Sequence, residues 1–242
     1  MWPWALLDHS FAASLWATTF GQSLLACVVI DTLVARWFTR AGARWFVLHS
    51  IVNLIIALFS VSDLCALVLD PIGALTDLRV TSAVPWMLNV ALHTYHMVLF
   101  FRSLDWLDWL HHGLMTGVVT PLGFMFSCGK VLNGSHFFIM GVPGAVDYAL
   151  LVLVKYGRVH PLTEKRINAA LNVWLRSPGL VVCAFVCVSQ GIISDDANEV
   201  RAARLISAAL YVWNAQYFMQ RVVGNLAVRE DGEGSEEKKL TK

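Results

Sequence analysis

The chain has 242 residues, of which 57% are hydrophobic and 14% are charged, and its formal net charge is only +1. Soluble domains average about 25% charged residues, so this composition, with a mean hydropathy of +0.60, excludes an ordinary soluble protein. The sequence therefore predicts an integral membrane protein with membrane lipid, and not nucleic acid, as its partner.

Seven apolar segments are predicted to cross the membrane as α-helices. Each reaches, or nearly reaches, the ~20 residues that a helix needs to cross the hydrocarbon core. The predicted fold class is thus an all-α bundle of seven transmembrane helices over residues 1–228. The segments are Ala12–Phe38, Trp45–Leu67, Ser82–Leu104, Leu107–Phe126, His136–Val154, Pro178–Ser194 and Ala203–Val223. No Lys or Arg precedes the first segment, so we expect it to be retained and not cleaved as a signal peptide.

Two polar stretches outside these segments are assigned to the cytosolic side. Between the fifth and sixth segments, the apolar residues after Thr163 recur at helical spacing up to Trp174. This pattern predicts a short helix in the membrane interface, ended by a turn at residues 177–179. Residues 229–242 are polar and are predicted to form a disordered tail.

The basic residues predict the orientation of the bundle. With seven spans, 14 of the 18 Lys and Arg residues fall on the side of the C-terminus. The other four are Arg79, Lys130, Arg201 and Arg204. Because cytosolic loops carry the excess of Lys and Arg, we expect a cytosolic C-terminus and a lumenal or extracellular N-terminus. A homo-oligomer is left open.

The five cysteines are predicted to be small buried apolar residues. They are odd in number and lie mostly within the spans, which argues against a disulfide framework. Cys183 and Cys187 share one helical face, but no His or acid lies near them in the sequence. Packing is therefore favoured over metal binding for this pair.

Five histidines inside apolar segments are the strongest clue to function. On the predicted topology all five lie at similar depth in the cytosolic half of the membrane, as do Asp31 and Asp147. An ionisable group there costs about 2.5 kcal/mol or more and usually faces a cavity. We therefore predict a polar cavity that opens toward the cytosol. The five are His49, His93, His96, His111 and His112.

Helical spacing indicates which polar groups share that cavity. Asn89, His93 and His96 form one stripe on the third span, and His112 and Thr116 begin another on the fourth. His111 is turned away from His112 by about 100°. One histidine of the pair is thus expected to point into the bundle.

The two buried acids need partners. Lys155 is the candidate for Asp147, and Arg36 or His49 is the candidate for Asp31. Residues 141–144, Gly-Val-Pro-Gly, indicate a kink shortly before Asp147, which either shapes the cavity or serves packing alone.

Four kinds of chemistry remain open for the clustered imidazoles. His93, His96 and His112 with Asp147 could hold a metal ion. A haem would need histidines on facing helices at matched depth. General-base or nucleophilic catalysis needs one imidazole beside the substrate and a partner that holds its tautomer. The last alternative is a set of interhelical hydrogen bonds without further function.

Three runs of sequence resemble the TLC-domain family. They are residues 92–96 (LHTYH), residues 104–112 (LDWLDWLHH) and residues 141–148 (GVPGAVDY). In that family a polar helix precedes a span that opens with a His-His pair, and a helix with an acid and a proline follows. The resemblance covers about Ser82 to Tyr156, and its most specific element is the spacing of the His-His pair to Pro143.

The resemblance implies a multi-pass endomembrane protein of lipid metabolism, sensing or transport. The ceramide synthases of that family transfer an acyl group from acyl-CoA to a sphingoid base. Carried over, the catalytic residues would be His111, His112 and Asp147, with acyl-CoA as the co-substrate. The non-enzymatic alternative is a lipid transporter or sensor. Fatty-acid elongases are also similar, but neither His93–His96 nor His111–His112 completes their His-x-x-His-His motif.

Overall fold

In the computed structural model, the described residues form helices and turns and contain no strand. The structure describes the backbone of residues 9–102, 104–114, 117, 128–193 and 197–240. Within these ranges it describes the side chains of residues 17 to 232, except those of residues 107, 108 and 111. The described helices are α1 (His9–Leu33), α2 (Ala43–Leu69), α3 (Pro71–Thr76), α4 (Val84–Phe100), α5 (Trp106–Leu114), α6 (Lys130–Lys155), α7 (Pro161–Ile193) and α8 (Asn198–Leu240).

Four of the described helices are long and apolar enough to cross a membrane. They correspond to the first, second, fifth and sixth predicted segments, so the all-helical membrane character of the chain is supported but the count of seven spans is not. The helix α4 at the third segment has 17 residues, and most of the fourth segment lies outside the described residues. The four candidate spans are Ala17–Trp37, Ala43–Leu69, Lys130–Lys155 and Pro161–Ile193.

The predicted interfacial helix is not a separate element. Helix α7 runs from Pro161 through Pro178 to Ile193, so the expected turn at residues 177–179 is wrong. A π-helical turn at Asn172–Arg176 directly precedes Pro178. Proline lacks the amide hydrogen that an α-helix requires, and a local wide turn is one way to keep the helix continuous.

The predicted disordered tail also differs from the structure. Helix α8 continues to Leu240, past the start of the tail at Arg229. The Nε of Arg166 donates to Oε1 of Glu230 at 2.9 Å and so joins the beginning of that stretch to α7. Glu and Lys, which dominate the end of the tail, are strong helix formers.

Helix α2 lies at the centre of the fold, where α6 packs closely against it. A Cβ atom built on Gly141 of α6 would lie 3.1 Å from the Cβ of Ala57, and one built on Gly144 would lie 2.4 Å from Nδ2 of Asn53. Small residues allow this close approach of two helix backbones within a membrane. Both glycines precede Asp147 on α6, so the contact positions that acid relative to α2.

A buried carboxylate joins α2 to the loop before α4 and to α6. The side chain of Asp63 accepts hydrogen bonds from the backbone amide and the hydroxyl of Thr81 and, at 2.6 Å, from Nδ2 of Asn133. Asp63 is fully buried, and these donors offset the cost of removing a charge from water. This acid therefore stabilises the end of the bundle away from the histidines.

Asp31 forms a second buried link, between α1, α2 and α4. Its carboxylate accepts two hydrogen bonds from the guanidinium of Arg44 and one, at 2.7 Å, from the hydroxyl of Tyr95. The predicted partners Arg36 and His49 are therefore replaced by Arg44. A guanidinium offers the paired donors that fit a carboxylate, which a single imidazole does not.

A small side chain at Gly179 is required where α7 meets α6. A Cβ atom there would lie 2.2 Å from the ring of Phe138, so Gly179→Ala must displace the whole ring. We expect a loss of about 1–3 kcal/mol in the free energy of unfolding, measured as a lower thermal unfolding temperature in detergent. The matched control is Gly224→Ala on α8, where nothing lies within 4 Å. Equal unfolding temperatures for the two variants would contradict this packing.

Candidate functional site

A cavity of about 370 Å³ lies among six of the described helices. Helices α2, α4, α5, α6, α7 and α8 each contribute at least one lining residue. Imidazoles occupy one part of the lining, and carboxamides, a carboxyl group and a guanidinium occupy another. Apolar side chains complete the wall, among them Ile139, Met140, Pro143, Phe218 and Val222.

Four of the five predicted histidines line this one cavity. They come from three helices, with His49 on α2, His93 and His96 on α4, and His112 on α5. The ring centroid of His112 lies 5.0 Å from that of His93 and 4.7 Å from that of His96. The fifth, His111, lies on the described backbone of α5, but its side chain is outside the described set.

Trp45 joins His49 to the other imidazoles. Its ring centroid lies 3.5 Å from that of His49 and 3.5 Å from that of His96. Tyr148 contacts His49 from another direction, with the ring centroids 4.5 Å apart. These contacts restrict the orientations of His49 and His96, because each ring packs against a larger aromatic surface.

Two of the cavity histidines have a defined tautomer. A backbone oxygen can only accept, so Nδ1 of His93 donates to the carbonyl oxygen of Asn89 at 2.9 Å. In the same way, Nδ1 of His49 donates to the carbonyl oxygen of Trp45 at 3.2 Å. In a neutral ring the other nitrogen, Nε2, is then a proton acceptor. Nε2 of each ring is therefore the nitrogen that can accept a hydrogen bond.

The rings of His93 and His112 lie next to each other in the cavity. The two rings meet edge to face at an interplanar angle of 73°, and both are buried. His93 can accept a proton through Nε2, and an imidazole that loses a proton becomes a better nucleophile. The arrangement therefore suits His112 to attack or deprotonate a substrate beside His93.

Asp147 lies at the opposite, more polar part of the lining, and its expected partner Lys155 is not its neighbour. It contacts the carboxyl group of Glu164 and lies in the field of Arg176. Glu164 is buried and pairs with Lys165, with Nζ 3.0 Å from Oε2. The backbone oxygen of Lys155 instead accepts a hydrogen bond from Arg40 at 2.5 Å.

Two oxygen atoms on the lining are buried and accept no hydrogen bond from the described residues. They are Oδ1 of Asp147 and Oδ1 of Asn53. Buried polar atoms are nearly always satisfied by protein, water or ligand. A water molecule, or a hydroxyl or an amine of a ligand in this cavity, could donate to both atoms.

Arg176 forms the basic part of the lining, and sequence reasoning did not identify it as a site residue. Its guanidinium donates to Oδ1 of Asn172 at 3.2 Å and to Oδ1 of Asn214 at 2.8 Å, and it lies 4.4 Å from the ring of Phe218. Asn168, Asn172 and Arg176 recur four residues apart on α7, so helical spacing could have revealed this stripe.

Several predicted cavity residues lie elsewhere. Asn89 is buried on α4, and its Nδ2 pairs with Nε2 of His136 at 3.1 Å. It sits one helical turn before His93, below the cavity. Asp31 is held by Arg44 and Tyr95, as described above, and is not among the described residues that line the cavity. Thr116 lies outside the described residues.

The alternative metal site is not supported by the geometry. Within the described ranges, no group of three or more His, Cys, Asp and Glu side chains is placed to hold one metal ion. His93, His96 and His112, the predicted alternative ligands, line the cavity without forming such a group.

The fold and the cavity were compared with known proteins. No protein-family model matches the chain, and no significant match was found among curated proteins or solved structures. What the cavity does must therefore be argued from its own chemistry.

Proposed function

We propose that the protein transfers an acyl group from acyl-CoA to a membrane lipid within the cavity lined by His49, His93, His96 and His112. The observation that carries this proposal is the convergence of four imidazoles from three helices on one cavity. Placing an imidazole in the hydrocarbon region of a bilayer costs free energy, and a shared polar cavity explains why several occur together. The apolar part of the lining suits an acyl chain, and the polar part suits the reacting groups.

In the proposed reaction His112 acts on the thioester. An imidazole nitrogen of His112 either attacks the thioester carbon, releasing coenzyme A as the thiol, or removes the proton from the acceptor lipid. His93, whose Nδ1 donates to the backbone oxygen of Asn89, takes up through Nε2 the proton that His112 gives away. It then passes this proton to the departing coenzyme A sulfur, which leaves as the thiol. Attack of the lipid hydroxyl or amine on the acyl group then forms the product.

The acceptor lipid is proposed to bind beside Asp147 and Asn53. Their buried Oδ1 atoms lack hydrogen-bond donors among the described residues. A hydroxyl or an amine of the acceptor would supply those donors and place its nucleophilic atom in the cavity. The acceptor class is therefore a lipid with a free hydroxyl or amino group.

The resemblance of residues 82–156 to TLC-domain proteins supports the same class of chemistry. We accordingly propose an endomembrane location, the endoplasmic reticulum in particular, with the C-terminus and the mouth of the cavity on the cytosolic side. This orientation places the cavity where cytosolic acyl-CoA can reach it.

The proposal is tested by incubating the purified protein in nanodiscs with radiolabelled palmitoyl-CoA and an extract of membrane lipids. We expect label to move into a lipid product while coenzyme A is released in equal amount. His160→Asn, which changes an exposed histidine at the start of α7 and keeps a capping side chain, should be as active as the unaltered protein. Hydrolysis of the thioester without a labelled lipid would contradict acyl transfer.

A second candidate, a non-enzymatic lipid transporter or sensor, is favoured by the polar part of the lining. Arg176 and the carboxamides of Asn53, Asn168, Asn172 and Asn214 line this part, and such groups are typical of sites that recognise a polar headgroup. In the nanodisc experiment this candidate predicts saturable binding of a lipid but no release of coenzyme A. Transfer of lipid between vesicle populations would then distinguish a transporter from a sensor.

A further inference from the structure

Two cysteine thiols meet at the end of the bundle that holds Asp63. Cys128 directly precedes α6 and is 4% exposed, and Cys187 lies on α7 and is fully buried. The two belong to one buried cluster that also contains Cys183. Their sulfur atoms are hydrogen-bond partners, so residues far apart in the sequence place two thiols side by side.

The backbone around Cys128 is held in place on both sides. Its carbonyl oxygen accepts a hydrogen bond at 3.3 Å from Nε2 of Gln190, which lies one helical turn beyond Cys187. The next residue, Gly129, has φ +58, and a Cβ atom there would lie 2.7 Å from the Cα of Leu78. The fold thus fixes the backbone of Cys128, so the contact between the thiols does not depend on the side-chain rotamers alone.

A salt-bridged segment adds to this anchoring. Lys130 donates to Asp77 at 3.0 Å, and Arg79 donates to the same carboxylate at 2.9 Å. The hydrogen bond from Arg79, followed by that from Lys130, holds the pKa of Asp77 well below its usual range. The segment before α4 is therefore tied to the start of α6, two residues from Cys128.

Two neighbouring groups lower the pKa of the Cys128 thiol. The hydrogen bond from Cys187 lowers the pKa of the Cys128 thiol, and the positive charge of Arg204 lowers it further, against the effect of burial. Arg204 is 1% exposed and is oriented by a 3.2 Å hydrogen bond to the backbone oxygen of Gln190. A thiolate is the reactive form of cysteine, and nearby cationic groups are a common reason for its formation.

We propose that Cys128 and Cys187 are a redox-active pair that closes to a disulfide when the protein meets hydrogen peroxide. The Cys128 thiolate attacks one peroxide oxygen, which breaks the O–O bond and gives a sulfenic acid and hydroxide. The sulfur of Cys187 then attacks the sulfenic sulfur, forms the S–S bond and releases water. The two electrons lost by the thiols reduce peroxide, a small neutral oxidant that suits so buried a pair.

The disulfide would covalently join the start of α6 to α7. These two helices also carry cavity-lining residues, Asp147 after Cys128 in the sequence and Arg176 before Cys187. Closure would therefore restrain the relative position of the helices that form the polar part of the cavity. A disulfide forms only between adjacent thiols, and the side chains of Cys128 and Cys187 are hydrogen-bond partners within one buried cluster.

The pair is tested on the purified, fully reduced protein. It is exposed to hydrogen peroxide, blocked with N-ethylmaleimide, digested and analysed by mass spectrometry. We expect a peptide that links Cys128 to Cys187, lower in mass by two hydrogens than its reduced parts, and its loss after dithiothreitol. Cys65, an exposed cysteine, should remain outside this link.

Two variants sharpen the result. Cys183→Ser changes a buried cysteine one turn from Cys187 and should leave the link intact. Cys187→Ser should leave Cys128 as a sulfenic acid that dimedone labels. Recovery of both cysteines as maleimide adducts after peroxide, or a link from Cys128 to Cys183, would overturn the proposal. If a variant fails to fold, the mass-spectrometric analysis of the unaltered protein still decides whether Cys128 and Cys187 form a disulfide.

Discussion

Replacing His112 by alanine is expected to lower the initial rate of acyl transfer by about 10²–10⁴-fold, the usual contribution of a positioned acid–base or nucleophilic group. Two other cavity imidazoles lie near His112, at centroid distances of 5.0 Å and 4.7 Å. The variant leaves the position of the His112 ring empty. The rate is measured as labelled lipid formed from palmitoyl-CoA in nanodiscs.

A companion variant separates the chemistry from general damage to the cavity. His93→Asn keeps a polar side chain near the backbone oxygen of Asn89 but removes the Nε2 acceptor beside His112. We expect a smaller loss of rate and a changed pH profile, because His112 would have to release its proton to water. An active His112→Ala protein, with unaltered folding, would contradict the assignment.

Arg44→Ala is expected to lower the free energy of unfolding by about 3–5 kcal/mol, because it leaves a buried carboxylate without its cation. The side chain of Asp31 is 1% exposed, whereas that of Arg44 is 46% exposed. After the substitution Asp31 keeps the hydrogen bond from Tyr95 but neither of the charge-assisted bonds. The loss appears as a lower unfolding temperature in detergent.

The converse substitution should cost less. In Asp31→Ala the remaining guanidinium of Arg44 can turn toward water or headgroups, and the freed hydroxyl of Tyr95 is the main buried group left unsatisfied. The double variant should therefore be more stable than Arg44→Ala alone, as expected for two coupled residues. Arg36→Ala, at an exposed arginine on the same side of the bundle, is the matched control. Arg44→Ala and Arg36→Ala with equal stability would show that the pair contributes little.

The convergence of the histidines was largely predictable from the sequence. Helical periodicity placed His93 and His96 on one face of α4, and the short link before α5 brought His112 beside them. The cost of ionisable groups in a bilayer indicated that these faces meet inside the protein. These arguments need only the spacing of residues along the sequence and the cost of placing an ionisable group in a bilayer.

Other features depend on contacts between distant residues and were not predictable in the same way. The choice of Arg44 over Arg36 for Asp31 depends on how the chain turns between α1 and α2. The continuity of α7 through Pro178 depends on a π-helical turn that sequence patterns do not indicate. Likewise, the odd number of cysteines argued against a disulfide framework, and only the packing of α6 against α7 brings Cys128 to Cys187.

The most direct test of the central claim is to map where a lipid chain binds. A palmitoyl-CoA analogue that carries a diazirine and an alkyne on its chain is photolysed with the protein in nanodiscs, and the labelled peptides are sequenced. We predict labelling of cavity residues, Ile139, Met140 and Val222 among them, that excess palmitoyl-CoA suppresses. Labelling confined to outward-facing residues such as Leu58 and Phe185, which are 63% and 71% exposed, and unchanged by the competitor would contradict a lipid site among the imidazoles.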